Sequence, residues 1–199
     1  MRTFSLLFFF PAFFSFTQNN ALTRAERKFA IDQLKQTQAE LVAAVRNLSD
    51  AQLRFKPAPD RWSILECAQH ITLASQSLWE RQQLSITEAN DSNWKSSLTD
   101  DMVIKLGEDR TIKTQAPEFF KPVHAPFKTL DETLQVFNSE RDEVIEYIKT
   151  SQDDMRAHFI KTQLGMLDSY QCILAICAHT NRHTQQINEV KADPNFPKH

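Results

Sequence analysis

Apolar side chains recur along this chain at the spacing of one helical face, in long stretches parted by proline-rich and polar breaks. Phe29, Leu34, Leu41 and Val45, with Leu48 just beyond, make a stripe between charged positions and predict a first helix from about Leu22 to Asn47. Ser49 and Gln52 then form a capping box for a short turn, each side chain serving the other's backbone N–H. Phe55-Lys56-Pro57-Ala58-Pro59 ends that turn, because proline fixes φ and turns the residue before it away from helix. A second helix is predicted from Ile64 to about Ile86. Ser63 is its N-cap, Glu66 completes the S-x-x-E box, and Trp62 occupies the staple position before the cap. Thr129 and Glu132 repeat the signature and open a third helix to about Lys149, with Leu130, Leu134, Phe137, Val144, Ile145 and Ile148 as its core stripe. A fourth runs from about Leu167 to Lys191, where Asp193-Pro194-Asn195 stops it.

Between the second and third helices, residues 90–128 are irregular. A short helix around Leu98–Leu106 is expected there, and Pro117, Pro122 and Pro126 make the rest an extended crossover suited to covering a site. The fold class is therefore all-α: a four-helix bundle with one long crossover. Such bundles build metal and ligand sites from inward-facing side chains on facing helices.

Composition narrows the function. A chain of 199 residues is one domain with a real core. Its two glycines, Gly107 and Gly165, argue against tight β-hairpins and phosphate-cradling loops. A net charge of −2 gives no basic footprint, so no nucleic acid is expected. Arg2 followed by the apolar run Leu6 to Phe16 has the form of an export signal. That run is about half of the ~20 residues a membrane span needs. Residues 1–17 are read as a signal peptide, with cleavage after the small residues Ser15 and Thr17, and residues 18–199 as a single bundle domain. The mature protein is then periplasmic or extracellular, with no membrane contact. Cys67, Cys172 and Cys177 are an odd set, read as buried free thiols; a bridge from Cys67 to one of the others stays open.

The candidate chemistry lies in the histidines. His179 and His183 are four residues apart, on one face of the last predicted helix, with Asp168, Cys172 and Gln186 on the same stripe. Two neutral imidazoles so placed can share a metal ion, each nitrogen about 2.0–2.1 Å from it. Equally, two core histidines at this spacing can bond to backbone carbonyls or to Gln186. His70 alone in the second helix reads as a core residue, and Cys67, one turn from it, as packing, with a place among the ligands as its alternative. Glu66 is accounted for by its capping box, and Asp168 by a cap on the last helix. His124, His158 and His199 have no partner at ligand spacing and read as non-ligands, although His158 could approach the site.

Several strings taken together resemble the DinB-like superfamily. Arg61-Trp62-Ser63-Ile64-Leu65-Glu66, with His70 four residues on, is similar to its second-helix signature, and Leu48-Ser49-Asp50-Ala51-Gln52-Leu53 with Pro57 to the approach to that helix. Leu167-Asp168-Ser169-Tyr170-Gln171, His179-Thr180-Asn181-Arg182-His183-Thr184-Gln185-Gln186-Ile187 and Asn195-Phe196-Pro197 resemble its C-terminal part. The resemblance spans roughly residues 25–197 and implies a DinB/YfiT-type bundle, commonly dimeric. It also implies a divalent metal, usually zinc or nickel, on His70, His179 and His183.

What the resemblance implies about activity is broader. Relatives include transferases that use low-molecular-weight thiols such as bacillithiol or mycothiol, in which a metal favours the thiolate. The leading expectation is thus thiol-dependent transfer on a small-molecule substrate. The alternatives are a metal-dependent hydrolase using a metal-bound water and a non-enzymatic, stress-related metal-binding protein. No catalytic acid or base is identifiable from the sequence. Export predicts a mature N-terminus at Gln18, checked by intact mass of the protein purified from its native cells; a mass beginning at Met1 would overturn it.

Overall fold

The computed structural model describes residues 21–89, 94–111 and 115–198. Residues 1–17, expected to be an export signal, the expected new terminus at Gln18, and His199 lie outside the described residues. Four long helices form the bundle: α1 (Arg24–Val45), α3 (Ile64–Thr87), α5 (Leu130–Thr150) and α6 (Ser169–Lys191). Two shorter ones, α2 (Asp50–Arg54) and α4 (Asp100–Glu108), lie in the connections. α1 and α3 each pack against both α5 and α6, so the four long helices close a ring, and α4 lies against α6 from outside. Among the described residues, no helix is long and apolar enough to cross a membrane.

The helix starts are chemically marked. Ser49–Gln52, Ser63–Glu66 and Thr129–Glu132 form the expected reciprocal boxes before α2, α3 and α5. Thr23–Glu26 does the same for α1, and Asp168–Gln171 for α6. Each box satisfies backbone donors that the first helical turn leaves unpaired. α1 ends earlier than its apolar stripe suggested, because Arg46 is extended and Asn47 takes a left-handed turn at φ 59°.

Two expectations need correction. Phe29 is 40% exposed, and the buried face of α1 is Ala30, Leu34, Thr37, Leu41, Ala44 and Val45. The repeat of threes and fours from Ala30 sets the phase, and the large ring at Phe29 falls one residue outside it. The second correction is a β-hairpin, β1 (Phe159–Thr162) antiparallel to β2 (Gly165–Asp168), where an irregular connection was expected. Glycine scarcity did not prevent it, because the one turn position that needs a positive φ is Gly165, at 108°. The hairpin takes Leu167 and Asp168 away from α6, which starts at Ser169.

α6 is the centre of the bundle. From Ser169 to Ala178 every residue is buried, since α1, α3 and α4 cover it from different sides. The approach of α4 is close enough that a Cβ at Gly107 would lie 2.6 Å from Ala178 Cβ. Glycine there is a packing requirement.

Arg156, just before the hairpin, ties three elements together. Its guanidinium donates to Glu26 at the start of α1, Asp100 at the start of α4 and Asp168 at the cap of α6, and lies 4.2 Å above the Tyr170 ring. The Arg156 hydrogen bonds hold the Asp100 carboxyl below its usual value. At Glu26 partial burial pushes up, but Arg156 and Thr23 outweigh it and the group sits low. Asp168 is pushed up by burial, which its bonds to Gln171 and Arg156 only partly offset.

Arg156→Met should therefore cost about 1–3 kcal/mol in urea unfolding at pH 7, as expected for stripping charged groups of a hydrogen-bond partner. Glu26 and Asp100 add stability above their ordinary values of 4.5 and 3.8 and lose it as pH falls, whereas Asp168 costs stability while ionised. The gap between the wild-type and variant unfolding midpoints should narrow below about pH 4. A gap independent of pH would contradict the ionic origin.

Candidate metal centre

His70 lies in the second turn of α3, after the Ser63 cap, and is 3% exposed. His179 and His183 project from α6 toward it, His183 buried and His179 partly exposed. Packing of α3 on α6 brings the rings together. Centroid separations are 4.9 Å for His70–His179, 4.5 Å for His70–His183 and 4.5 Å for His179–His183. One ring nitrogen from each lies within 4.8 Å of the other two. His70 Nε2 and His179 Nε2 are 3.2 Å apart. Two nitrogens each about 2.05 Å from a tetrahedral ion are about 3.3 Å apart, so this pair already has ligand spacing.

The outer ring nitrogens show which atoms face the centre. His70 Nδ1 is 2.8 Å from the Phe120 carbonyl oxygen, which only accepts, so Nδ1 carries the proton and Nε2 is left with its lone pair inward. His183 Nδ1 donates to Gln186 Oε1 at 2.9 Å and leaves Nε2 in the same state. Trp62 lies against two of the rings, at 4.6 Å from His70 and 6.0 Å from His183, and limits their rotation. The residue expected to staple α3 thus also walls the site.

Burial and proximity keep the imidazoles neutral. Burial lowers the His70 pKa, and the Phe120 bond offsets part of that. His179 is driven well below 6.5 by burial and then by the fields of His183 and His70. His183 is lowered likewise, by burial first and by His70 after it. Neutral nitrogen is the form a metal requires. Buried, neutral imidazoles, with the Nε2 lone pairs of His70 and His183 turned inward and His179 Nε2 beside them, fit a divalent ion, and the partly exposed edge at His179 leaves it an approach.

The Gln186 contact, which the sequence offered as an alternative to a metal, is present on His183 beside the convergent triad, while the carbonyl contact falls on His70 and not on the His179–His183 pair. Both contacts orient their rings from behind. Outer hydrogen bonds of this kind set tautomer and direction in metal-ligating histidines.

Other candidates fall away from the centre. Cys67 is buried in the α1–α3–α6 core, and burial pushes its thiol far up. Cys172 and Cys177 are also buried and free, their thiols pushed up by burial to about 12 and about 11. No bridge from Cys67 forms. Glu66 caps Ser63 and pairs with Lys56. Asp168 caps α6 and pairs with Arg156. His158 bonds through Nδ1 to the Ser85 carbonyl and does not join the triad, because the hairpin holds it beside the C-terminal turns of α3. His124 lies exposed beside Glu118 in the crossover. Two contributors were missed from sequence: the Phe120 carbonyl and Arg110, which donates to Gln186 Oε1 at 3.3 Å. A carbonyl carries no residue-type signal, and nothing local marks one arginine among the crossover's charges.

Comparisons agree with this architecture. No curated protein matches the chain. YfiT from Bacillus subtilis, described as "a probable metal-dependent hydrolase with an unusual four-helix bundle topology", superposes with a TM-score of 0.58 at 15% identity, over 89% of this chain and 92% of that one. At that identity the likeness establishes the fold. The model of the DinB superfamily matches residues 33–187, a stretch that contains His70, His179 and His183, and the chain belongs to that superfamily.

Proposed function

We propose that this protein is a metal-dependent enzyme that holds a divalent ion, zinc or nickel, on His70, His179 and His183 and acts on a small molecule. The convergence of three neutral ring nitrogens within 4.8 Å carries this reading. An ion with three neutral protein ligands keeps its full charge and an open position, and so supplies Lewis acidity and lowers the pKa of whatever binds there.

The surroundings favour thiol-dependent transfer. Among the described residues no carboxylate hydrogen-bonds any of the three rings; their partners are the Phe120 carbonyl, Gln186 and one another. Water activation is served by a nearby proton acceptor. A low-molecular-weight thiol brings its own nucleophilic sulfur and can lose its proton to solvent, so the protein need only bind and orient it. The partly exposed edge at His179 and the crossover around Phe120 flank the approach, where substrate selectivity would reside. Hydrolysis is the second reading, supported by the description of YfiT. Residues 1–17 as an export signal, and a homodimer, complete the proposal.

Metal content of untagged protein should be about one divalent ion per chain. Ions at about 100 times Kd should raise Tm by roughly 5–10 °C for a chain of this size. His183→Ala should abolish that rise and weaken binding by more than about 100-fold, beyond the 10–100-fold typical of losing only an outer hydrogen bond. Unchanged binding in this variant would remove His183 from the site. Adding a small thiol to cobalt-substituted protein should change the visible spectrum and introduce a sulfur-to-cobalt charge-transfer band. A spectrum indifferent to thiol would favour hydrolysis or a purely structural ion.

A further inference from the structure

We propose that Arg110 is a positioning residue for the metal centre: it locks the orientation of the Gln186 amide and, through it, the tautomer of His183. The proposal rests on the reading that His183 binds through Nε2. A glutamine amide can present either its oxygen or its NH2 group in nearly the same place. With the oxygen toward His183, Nδ1 is the protonated nitrogen and Nε2 offers a lone pair to the centre. With the NH2 group there, Nδ1 must accept, Nε2 carries the proton, and that proton points among the other imidazoles. Only the first form can bind an ion.

Arg110 decides between them. Its Nη1 donates to Gln186 Oε1 at 3.3 Å, the same oxygen that accepts from His183 Nδ1 at 2.9 Å. Guanidinium is a donor only, so the flipped amide would set NH2 against NH2. Even a long hydrogen bond selects the orientation when the alternative is donor against donor. Arg110 is itself held. Nε donates to Glu189 Oε1 at 2.8 Å and Nη2 to Glu189 Oε2 at 2.7 Å, and its side chain is 15% exposed.

Arg110 directly follows α4 and its cap residue Asp109, and α4 is seated on α6 by the close approach at Gly107. An element with no ligand of its own thus determines the state of one. His70 needs no such lock, since its partner is a backbone carbonyl, which cannot flip.

The test uses Arg110→Met, Gln186→Glu and the double variant. A carboxylate has no amide to invert, so Q186E should bypass the lock. The His183 tautomer is read in metal-free protein by long-range 15N–1H NMR, and zinc affinity by chelator competition. Wild type should show the Nδ1–H form. R110M should gain Nε2–H population and lose about 10- to 100-fold in zinc affinity, the range for outer-shell partners. R110M/Q186E should regain the Nδ1–H form and bind zinc within about threefold of Q186E, which is the non-additivity expected of groups acting in series. A wild-type tautomer and affinity in R110M, or a double variant as weak as R110M, would overturn the proposal.

If R110M does not fold, Glu189→Gln decides. Glu189 is 58% exposed, and loosening its hold on Arg110 should produce a smaller shift in the same direction; no shift overturns the lock. Wild-type protein that binds no zinc defeats the metal reading alone, because the tautomer arm needs no metal.

Discussion

The packing of α3 against α6 is the contact on which the rest depends. It sets His70 Nε2 3.2 Å from His179 Nε2 and leaves three imidazoles facing one another inside the bundle. Such a cluster is costly unless every ring is neutral and every outer nitrogen is partnered. Burial and mutual repulsion achieve the first, and the Phe120 carbonyl and Gln186 provide the second for His70 and His183. The site is thus prepared by the apolar core around it. Leu41, Ile64, Ile71, Phe137 and Ile187 make one end of that core and hold the two helices at this distance.

The connections do more than join helices. The crossover supplies the acceptor for His70 and, through Arg110, a donor to Gln186. The segment before the hairpin supplies Arg156, which gathers the starts of α1, α4 and α6. One end of the bundle is tied by charge and the functional centre by oriented hydrogen bonds. A bundle that places ligands on facing helices still depends on its loops for the direction those ligands face.

The helices and their starts were legible in the sequence because their causes are local. A capping box spans only a few residues, and Ser49, Ser63 and Thr129 announce themselves with Gln52, Glu66 and Glu132. Thr23–Glu26 carried the same signal, and Asp168–Gln171 a variant of it beginning with aspartate. Phe29 misled because side-chain size was read where phase mattered. The hairpin was hidden by its brevity: strands of four residues, with Ile160 and Leu167 as their buried pair, offer too few alternations to stand out.

By itself, then, the sequence determined the four long helices, most of their caps, and the placing of His179 and His183 on one face, since each follows from the 3.6-residue period and from hydrogen bonds within a turn or two. Residues alone left those two histidines divided between a metal and a satisfied core, and His70 joined them only through family resemblance. Tertiary structure decided that the rings meet, which nitrogen each turns inward, and that the alternatives coexist. Those facts depend on atoms far apart in the chain: His70 and His179 across 109 positions, Arg110 and Gln186 across 76. No local rule of spacing or propensity reaches that far.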